Sequence, residues 1–174
     1  MKKATIILFL LTVFFINNTN SKEIEIPNES IRIRVIANSN TEIDQRVKGE
    51  VRENLQEEIA MLLKDAKGIE EVREILNKNL EDIHINVEKV MKRNNYEEVF
   101  NINYGLNYFP EKEFKGITYK EGYYESIVVT IGKGEGDNWW CVLFPPLCLM
   151  EHEESNMDDV EYKSFIKEAI EKFF

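Results

Sequence analysis

Hydrophobic positions recur along this chain with two different periods, which separate predicted strands from predicted helices. Residues 31–37, Ile-Arg-Ile-Arg-Val-Ile-Ala, place an apolar side chain at every second position, as a half-buried strand does. From Ile43 onward, apolar residues recur at spacings of three and four in two runs separated by Lys67-Gly68, which predicts two amphipathic helices. Their apolar positions are Val47, Val51, Leu55, Ile59, Leu62 and Ala66, then Ile69, Val72, Leu76, Leu80, Ile83, Val87 and Val90. So short a break favours an antiparallel helical hairpin.

The second half of the chain returns to the strand period and ends in another helix. Alternating apolar residues predict strands at residues 98–106 and 125–132, with a third candidate at 114–120. Residues 155–158 provide a helix cap, and the apolar positions after it predict a C-terminal helix. The predicted order is βααβββα. This is an α+β fold, with a mixed or mostly antiparallel sheet of three to four strands and the helices stacked on one face.

The first 21 residues have the features of an export signal. Lys2 and Lys3 form a basic start, residues 4–16 are apolar, and a polar exit ends at Ser21. As a helix the apolar run spans roughly 20 Å, which is less than the roughly 30 Å hydrocarbon layer of a membrane. We therefore expect cleavage near Ser21 and a single exported domain at residues 22–174.

The charge balance narrows the choice of partners. The chain has a formal net charge of −10, and removal of Lys2 and Lys3 with the leader would make it more acidic still. Nucleic acid and anionic lipid require a concentrated basic face, and the sequence contains none. We therefore expect neither to be a principal ligand.

Catalytic and cofactor motifs are missing from the sequence. There is no His-Glu-x-x-His and no Gly-x-Ser-x-Gly, and the glycines at 132, 134 and 136 lack the spacing of a nucleotide-binding loop, so we interpret them as a turn. The acidic cluster at residues 151–161 lacks the ligand ladder of a calcium loop and is interpreted as a solvated approach to the last helix. His84 is interpreted as a solvated flank residue of the second helix. The sequence predicts no enzyme, no cofactor and no metal.

Export would place the two cysteines, Cys141 and Cys148, in an oxidising compartment, where a disulfide between them is the default expectation. Two other arrangements remain open. Both cysteines and His152 would form three zinc ligands, with Glu153 or Glu154 as a fourth. Alternatively, His152 would activate Cys148 as the nucleophile of a cell-envelope thiol hydrolase.

The segment Gly-x-Gly-x-Gly-x-Asn-Trp-Trp-Cys-Val-Leu-Phe-Pro-Pro-Leu-Cys at residues 132–148 resembles the stage II sporulation protein R family, as do residues 33–40 with Asp44-Gln45. The resemblance implies a protein made in the forespore and exported into the space between the forespore and mother-cell membranes. There it would bind and activate a membrane-embedded aspartic-type protease that processes the sigma-E precursor. The chain would then be a ligand of the protease and not an enzyme.

Two interpretations of residues 139–148 stay open. Trp139, Trp140, Phe144 and Leu147 would contact the partner as an exposed patch held by Cys141 and Cys148, and Tyr123-Tyr124 would extend that patch. The alternative is a core strand followed by a loop. In either case adjacent tryptophans on a β backbone must point to opposite sides.

Overall fold

A computed structural model of the protein describes Ile24, residues 26–147 and residues 158–173. Within these residues there are six strands and three helices. In chain order they are β1 (Ile31–Ile36), α1 (Glu42–Leu63), α2 (Ile69–Arg93), β2 (Phe100–Phe109), β3 (Lys112–Phe114), β4 (Ile117–Tyr119), β5 (Gly122–Ile131), β6 (Asn138–Phe144) and α3 (Asp159–Phe173). The predicted α+β class is confirmed.

Four strands form one mixed sheet in the order β2-β5-β1-β6. β1 runs parallel to β5 and antiparallel to β6, while β2 and β5 are antiparallel. The predicted mixed sheet of three to four strands is therefore confirmed. β3 and β4 pair separately as a short hairpin, and they divide the region in which the sequence suggested one strand.

The helical hairpin follows the apolar stripes of the sequence. α1 begins after Thr41, whose side-chain oxygen accepts a hydrogen bond from the Asp44 backbone N–H at 3.3 Å. It ends at Leu63, earlier than the stripe suggested, and Leu63 replaces Leu62 as its last buried apolar residue. α2 buries most of the apolar side chains expected from its pattern against α1 and the sheet, whereas Ile69 and Leu80 are only partly buried.

The two faces of the sheet carry separate cores. On the helix face, Ile33, Val35, Ile127 and Val129 pack beneath α1 and α2. On the opposite face, which we call the aromatic face, the cluster consists of Ile26, Phe109, Ile117, Tyr119, Tyr124, Trp140, Val142, Leu147, Tyr162, Ile166 and Ala169. Because α3 supplies the last three of these, the expectation that all helices stack on one face is wrong for α3.

Several sequence-based predictions concern residues outside the described ranges. They are the export signal at residues 1–21, Cys148, His152, the acidic residues 151–154 and the start of the cap at 155–157. Among the residues that the structure describes, no helix combines the length and apolar character needed to cross a membrane.

Candidate functional site

Two loops meet at one end of the sheet, and we call their contact the loop junction. Residues 37–41 follow β1, and residues 132–137 connect β5 to β6. The backbone N–H groups of Gly136 and Glu135 donate to the carbonyls of Ala37 and Asn38 at 3.0 and 3.1 Å. The Asn38 side-chain oxygen also accepts from the Lys133 N–H at 2.9 Å. The loops are therefore joined along their backbones.

The glycines of the second loop allow this close approach. A Cβ at Gly136 would lie 2.3 Å from the Ser39 carbonyl oxygen, and one at Gly132 would lie 2.2 Å from the Asn38 side-chain oxygen. Gly132 also has a φ of +55°, in the left-handed region that favours glycine. The glycine repeat is thus a turn, as the sequence indicated, and β6 follows it without an intervening helix.

Asp44 is the buried carboxylate at the centre of the loop junction. Its Oδ2 accepts from the Ser39 hydroxyl at 2.5 Å and from the Asn38 amide at 3.2 Å, while its Oδ1 accepts from the Tyr96 hydroxyl. These donors lower the pKa of Asp44, with Ser39 having the largest effect and Tyr96 the next. Burial, assisted by the Asp44 carboxylate, raises the pKa of Tyr96 to about 12. A carboxylate held ionised with both oxygens engaged is a structural acceptor, because a general base needs a raised pKa and a free oxygen.

A second ring of contacts surrounds Asp44. Asn40 accepts from the Asp137 backbone N–H at 2.7 Å and donates to its carboxylate at 3.3 Å. The Gln45 side chain donates to the Ser39 carbonyl at 2.9 Å and to Asn40 at 3.0 Å. Lys48 reaches the Asp137 carbonyl at 3.3 Å. The two sequence blocks that carry the family resemblance therefore meet here in space.

On the aromatic face lies a buried cation that the sequence pattern did not predict. Arg32 is fully buried, and its guanidinium carbon lies 3.4, 5.0 and 5.2 Å from the ring centroids of Tyr124, Trp140 and Phe109. Among the described residues, none places an acceptor within hydrogen-bond geometry of its side-chain nitrogens. Burial lowers the pKa of Arg32 to about 10, against the opposing effect of the Tyr124 hydroxyl. Alternation in β1 predicted a half-buried strand and gave no sign that Arg32 would be buried.

The two tryptophans lie on β6 (Asn138–Phe144). Of the four residues predicted to contact the partner, three are interior. Trp140, Phe144 and Leu147 are only 8, 2 and 2% exposed. Trp139 is half-buried on the helix face, where the Arg52 guanidinium lies 5.7 Å from its ring centroid. The two indoles point to opposite sides, as predicted. This burial favours the core-strand interpretation, while a role in partner contact stays a prediction.

A cavity of about 150 Å³ opens beside β6 on the aromatic face. Trp140, Tyr119, Tyr162 and Lys112 line it, and the two tyrosine hydroxyls are 2.8 Å apart. Cys141 also lines it and is disulfide-bonded, so it has no thiol to offer. The pairing of Cys141 with Cys148 stays a prediction, because Cys148 lies outside the described residues. Within those residues no three His, Cys, Asp or Glu side chains cluster as metal ligands do.

The fold and its two clusters define an α+β protein whose most distinctive polar and aromatic residues make internal contacts. The family described as Stage II sporulation protein R (spore_II_R) matches residues 27–154. The Stage II sporulation protein R of Bacillus subtilis (strain 168) is 33% identical over 155 residues, which cover 88% of this chain and 69% of that protein. No solved structure matches the chain. The chain belongs to the stage II sporulation protein R family, and its role is in sporulation.

Proposed function

We propose that this chain is a secreted signalling protein of sporulation that binds and activates the membrane-embedded aspartic-type protease processing the sigma-E precursor. It would act in the space between the forespore and mother-cell membranes, on the part of the protease that faces that space. Family membership supports the role in sporulation. The acidic composition and the export signal expected from the sequence are consistent with such a location.

The observation that carries the proposal is that residues of the two sequence blocks that resemble the family serve internal contacts. Asp44, the buried carboxylate of the motif region, has both oxygens engaged by side-chain donors. Trp140 packs against Phe109 and Tyr119, with ring centroids 5.4 and 5.3 Å apart. Such contacts fix one shape, and a protein that acts by recognition needs a fixed shape more than a reactive group.

Activation by binding requires unequal affinity for the two states of the protease. A ligand shifts a conformational equilibrium only by the difference between its affinities for the two conformations. To move the protease from about 1% to about 99% active, that difference must be roughly 5.5 kcal/mol. Removal of the exported chain should therefore return the protease to its inactive state.

Reconstitution tests the proposal. The purified protease in nanodiscs is mixed with the sigma-E precursor, with and without the purified exported chain, and cleavage of the precursor is followed by gel. We expect cleavage to depend on the chain and to saturate with its concentration. The control is the same chain after heat unfolding with reductant, which has the same composition but no fold. Equal cleavage with and without the folded chain would exclude an activating role.

A thiol titration tests the thiol-hydrolase alternative. Because Cys141 is disulfide-bonded and Cys148 is the remaining cysteine of the chain, we expect no titratable thiol until reductant is added. A reactive thiol in the native protein would favour hydrolase chemistry at Cys148 and His152.

A further inference from the structure

β2 is an edge strand without the usual protection. It has ten residues, Phe-Asn-Ile-Asn-Tyr-Gly-Leu-Asn-Tyr-Phe, and none is charged or proline, although 31% of the chain is charged. Its ladder with β5 continues without a bulge from Phe100 opposite Ile131 to Phe109 opposite Gly122. Among the described residues β5 is its only strand neighbour. A long, uncharged edge strand without a bulge is a template for another strand.

The opposite edge of the same sheet is different. β6 has an irregular register beside Ile31 and Arg32, and Pro145 and Pro146 follow it directly. Bulges and prolines are the features by which proteins prevent strand addition. Only β2 therefore leaves its edge open among the described strands of this sheet.

One hydrogen bond determines which backbone groups of β2 face outward. The Gly132 N–H donates to the Val99 carbonyl at 2.7 Å, in line with the β2–β5 register. In an antiparallel ladder the hydrogen-bonded positions alternate, so odd-numbered residues of β2 face β5 and even-numbered residues face outward. The Tyr108 carbonyl is already occupied, because it accepts a hydrogen bond from the Arg34 side chain at 2.8 Å. The open stretch therefore consists of the backbone groups of Phe100, Ile102, Tyr104 and Leu106.

An apolar patch continues from the end of this edge. Leu106 is 74% exposed, Tyr123 72% and Tyr108 46%, and we call these three residues the β2 patch. Tyr108 and Tyr123 are cross-strand partners with ring centroids 5.7 Å apart, and Leu106 shares their face because it lies two residues from Tyr108. The patch and the outward backbone groups form one continuous surface.

We propose that β2 receives an extended segment of a protein partner by strand addition, with apolar side chains of that segment covering the β2 patch. This inference rests on the proposed function, in which the partner is the protease. Backbone hydrogen bonds to Phe100, Ile102, Tyr104 and Leu106 would hold the segment, and Leu106, Tyr108 and Tyr123 would select its side chains.

Charge indicates the chemistry of the segment. Glu97 and Glu98 precede β2, Glu111 follows it, and all three are exposed. Lys112, the next cation along the chain, lies over the Trp140 ring on the aromatic face. A segment with basic residues beside its apolar ones fits such a surface. A second copy fits less well, because two chains that each carry a net charge of −10 repel each other at close approach.

Residue-resolved amide exchange of the exported chain tests the proposal. The chain is measured alone and with the protease in nanodiscs. Alone, the inward amides of Asn101 and Asn103 should exchange slowly, and the outward amides of Ile102, Tyr104 and Leu106 should exchange fast. In the complex the outward amides should slow by about tenfold or more, whereas the inward ones should change little.

Two substitutions and a control complete the test. Leu106→Pro removes an outward N–H that makes no hydrogen bond to β5, and it also removes the Leu106 side chain from the β2 patch. Leu106→Lys keeps the N–H and places a cation on the patch. Each should weaken binding to the protease by about tenfold or more. Met61→Lys is the control, because Met61 is similarly exposed, at 68%, but lies on α1. It should change binding by less than about twofold. Thermal midpoints verify that the variants fold.

The outcomes separate this inference from the proposed function. Strand addition would be overturned if the chain bound and activated the protease while its outward β2 amides stayed unprotected. It would also be overturned if Leu106→Lys bound the protease as tightly as the native chain. Either result would leave the signalling role intact. No binding and no activation would overturn both. Protection of the outward amides that rises with protein concentration without the protease would make a second copy the occupant and overturn the assignment of the partner.

Discussion

Asp44 and Arg32 are both buried charges, but the protein accommodates them in opposite ways. Asp44 is surrounded by hydroxyl and amide donors from two separate segments of the chain, residues 38–39 and Tyr96. Arg32 is surrounded by aromatic rings, and within the described part of the chain no acceptor lies in hydrogen-bond geometry with its side-chain nitrogens. The carboxylate depends on particular atoms in particular positions. The guanidinium depends on the shape and the electrostatics of ring faces.

This difference indicates which sequence changes each region tolerates. Loss of one donor or of the acceptor at Asp44 leaves other buried polar groups unpaired, and that is costly. Replacement of Arg32 leaves no described residue without its hydrogen-bond partner, so an apolar side chain of similar volume can take the place of the guanidinium. Substitutions in the two regions should therefore change the free energy of unfolding by different amounts. The change should be largest where a substitution removes the most packing or leaves the most hydrogen-bonding groups unpaired.

The largest effect is expected at Trp140, which forms one wall around Arg32. Trp140→Ala should lower the free energy of unfolding by about 4 kcal/mol, because it removes a buried indole and leaves a cavity. Urea denaturation of the purified chain measures the change. Trp139→Ala is the matched control and should cost clearly less, since Trp139 is only half-buried. Equal costs at the two positions would contradict the placement of only Trp140 in the aromatic core.

Asp44→Asn should lower the free energy of unfolding by about 3 kcal/mol. The side chain keeps its shape, but an amide nitrogen replaces one acceptor and faces a donor, either Tyr96 or the Ser39–Asn38 pair. Asp137→Asn is the control at the exposed edge of the loop junction, and it should cost less than about 1 kcal/mol. Denaturant midpoints of both variants test this difference, and a tolerated Asp44→Asn would show that the loop junction does not depend on charge.

A pair of glycine substitutions tests the loop junction through its backbone. Gly136→Ala should destabilise the protein by about 2 kcal/mol, because the new Cβ would meet the Ser39 carbonyl and force the loops apart. Gly49→Ala should stabilise it by up to about 1 kcal/mol, since Gly49 lies within α1 and a Cβ there meets nothing within 4 Å. Thermal unfolding of the two variants should show opposite shifts. Shifts of the same sign would mean that the loops adapt freely.

Acid should weaken the loop junction through Asp44. Its pKa is lowered in the folded state from an ordinary value of 3.8, so its stabilising contribution is complete above that value and disappears as the pH falls through the lower folded pKa. The difference in stability between the native chain and Asp44→Asn should therefore be constant above about pH 5 and shrink below it. Denaturation at a series of pH values measures it. A difference that stayed constant down to acidic pH would indicate that the carboxylate gains nothing from its donors.

The smallest effect is expected for Arg32→Met. Arg32→Met should change the free energy of unfolding by less than about 1 kcal/mol or increase it, because the lost cation–π attraction is offset by the removal of a buried charge. Arg32→Ala should cost about 3 kcal/mol, since it leaves a cavity among the rings. Denaturation of both variants separates volume from charge. A large loss in Arg32→Met would show that the guanidinium has a specific partner.

Several elements could be predicted because a local pattern is sufficient for them. Apolar residues at helical spacing determined α1 and α2, and the Lys67-Gly68 break determined the hairpin between them. Alternation determined β1, β2 and β5. The end of α1 was placed too late, because Ala66 continues the periodic pattern beyond the last helical hydrogen bonds. The β3–β4 hairpin was not separated, since two three-residue strands are too short to show a period.

The site was less predictable than the fold. Asp44 was recognised only as part of a family motif, because Tyr96, one of its three donors, reaches it only after α2 returns along α1. The burial of Arg32 was not predicted for the same reason: the residues that bury it lie on β2, β5 and β6, far from it in sequence. The assignment of Trp140 and Phe144 was left open between patch and core, and their burial favours the core.

By itself the sequence determined the class of fold, the helical hairpin, the turn after β5 and the family, because each is recorded in residues close together along the chain. Only the tertiary structure decided which face α3 covers, which charges are buried, and that β2 offers an unprotected edge. These features depend on pairings between residues far apart in sequence. The free energy of such contacts comes from the exclusion of water and from hydrogen bonds to particular residues, and a local sequence pattern does not show which distant residues those are.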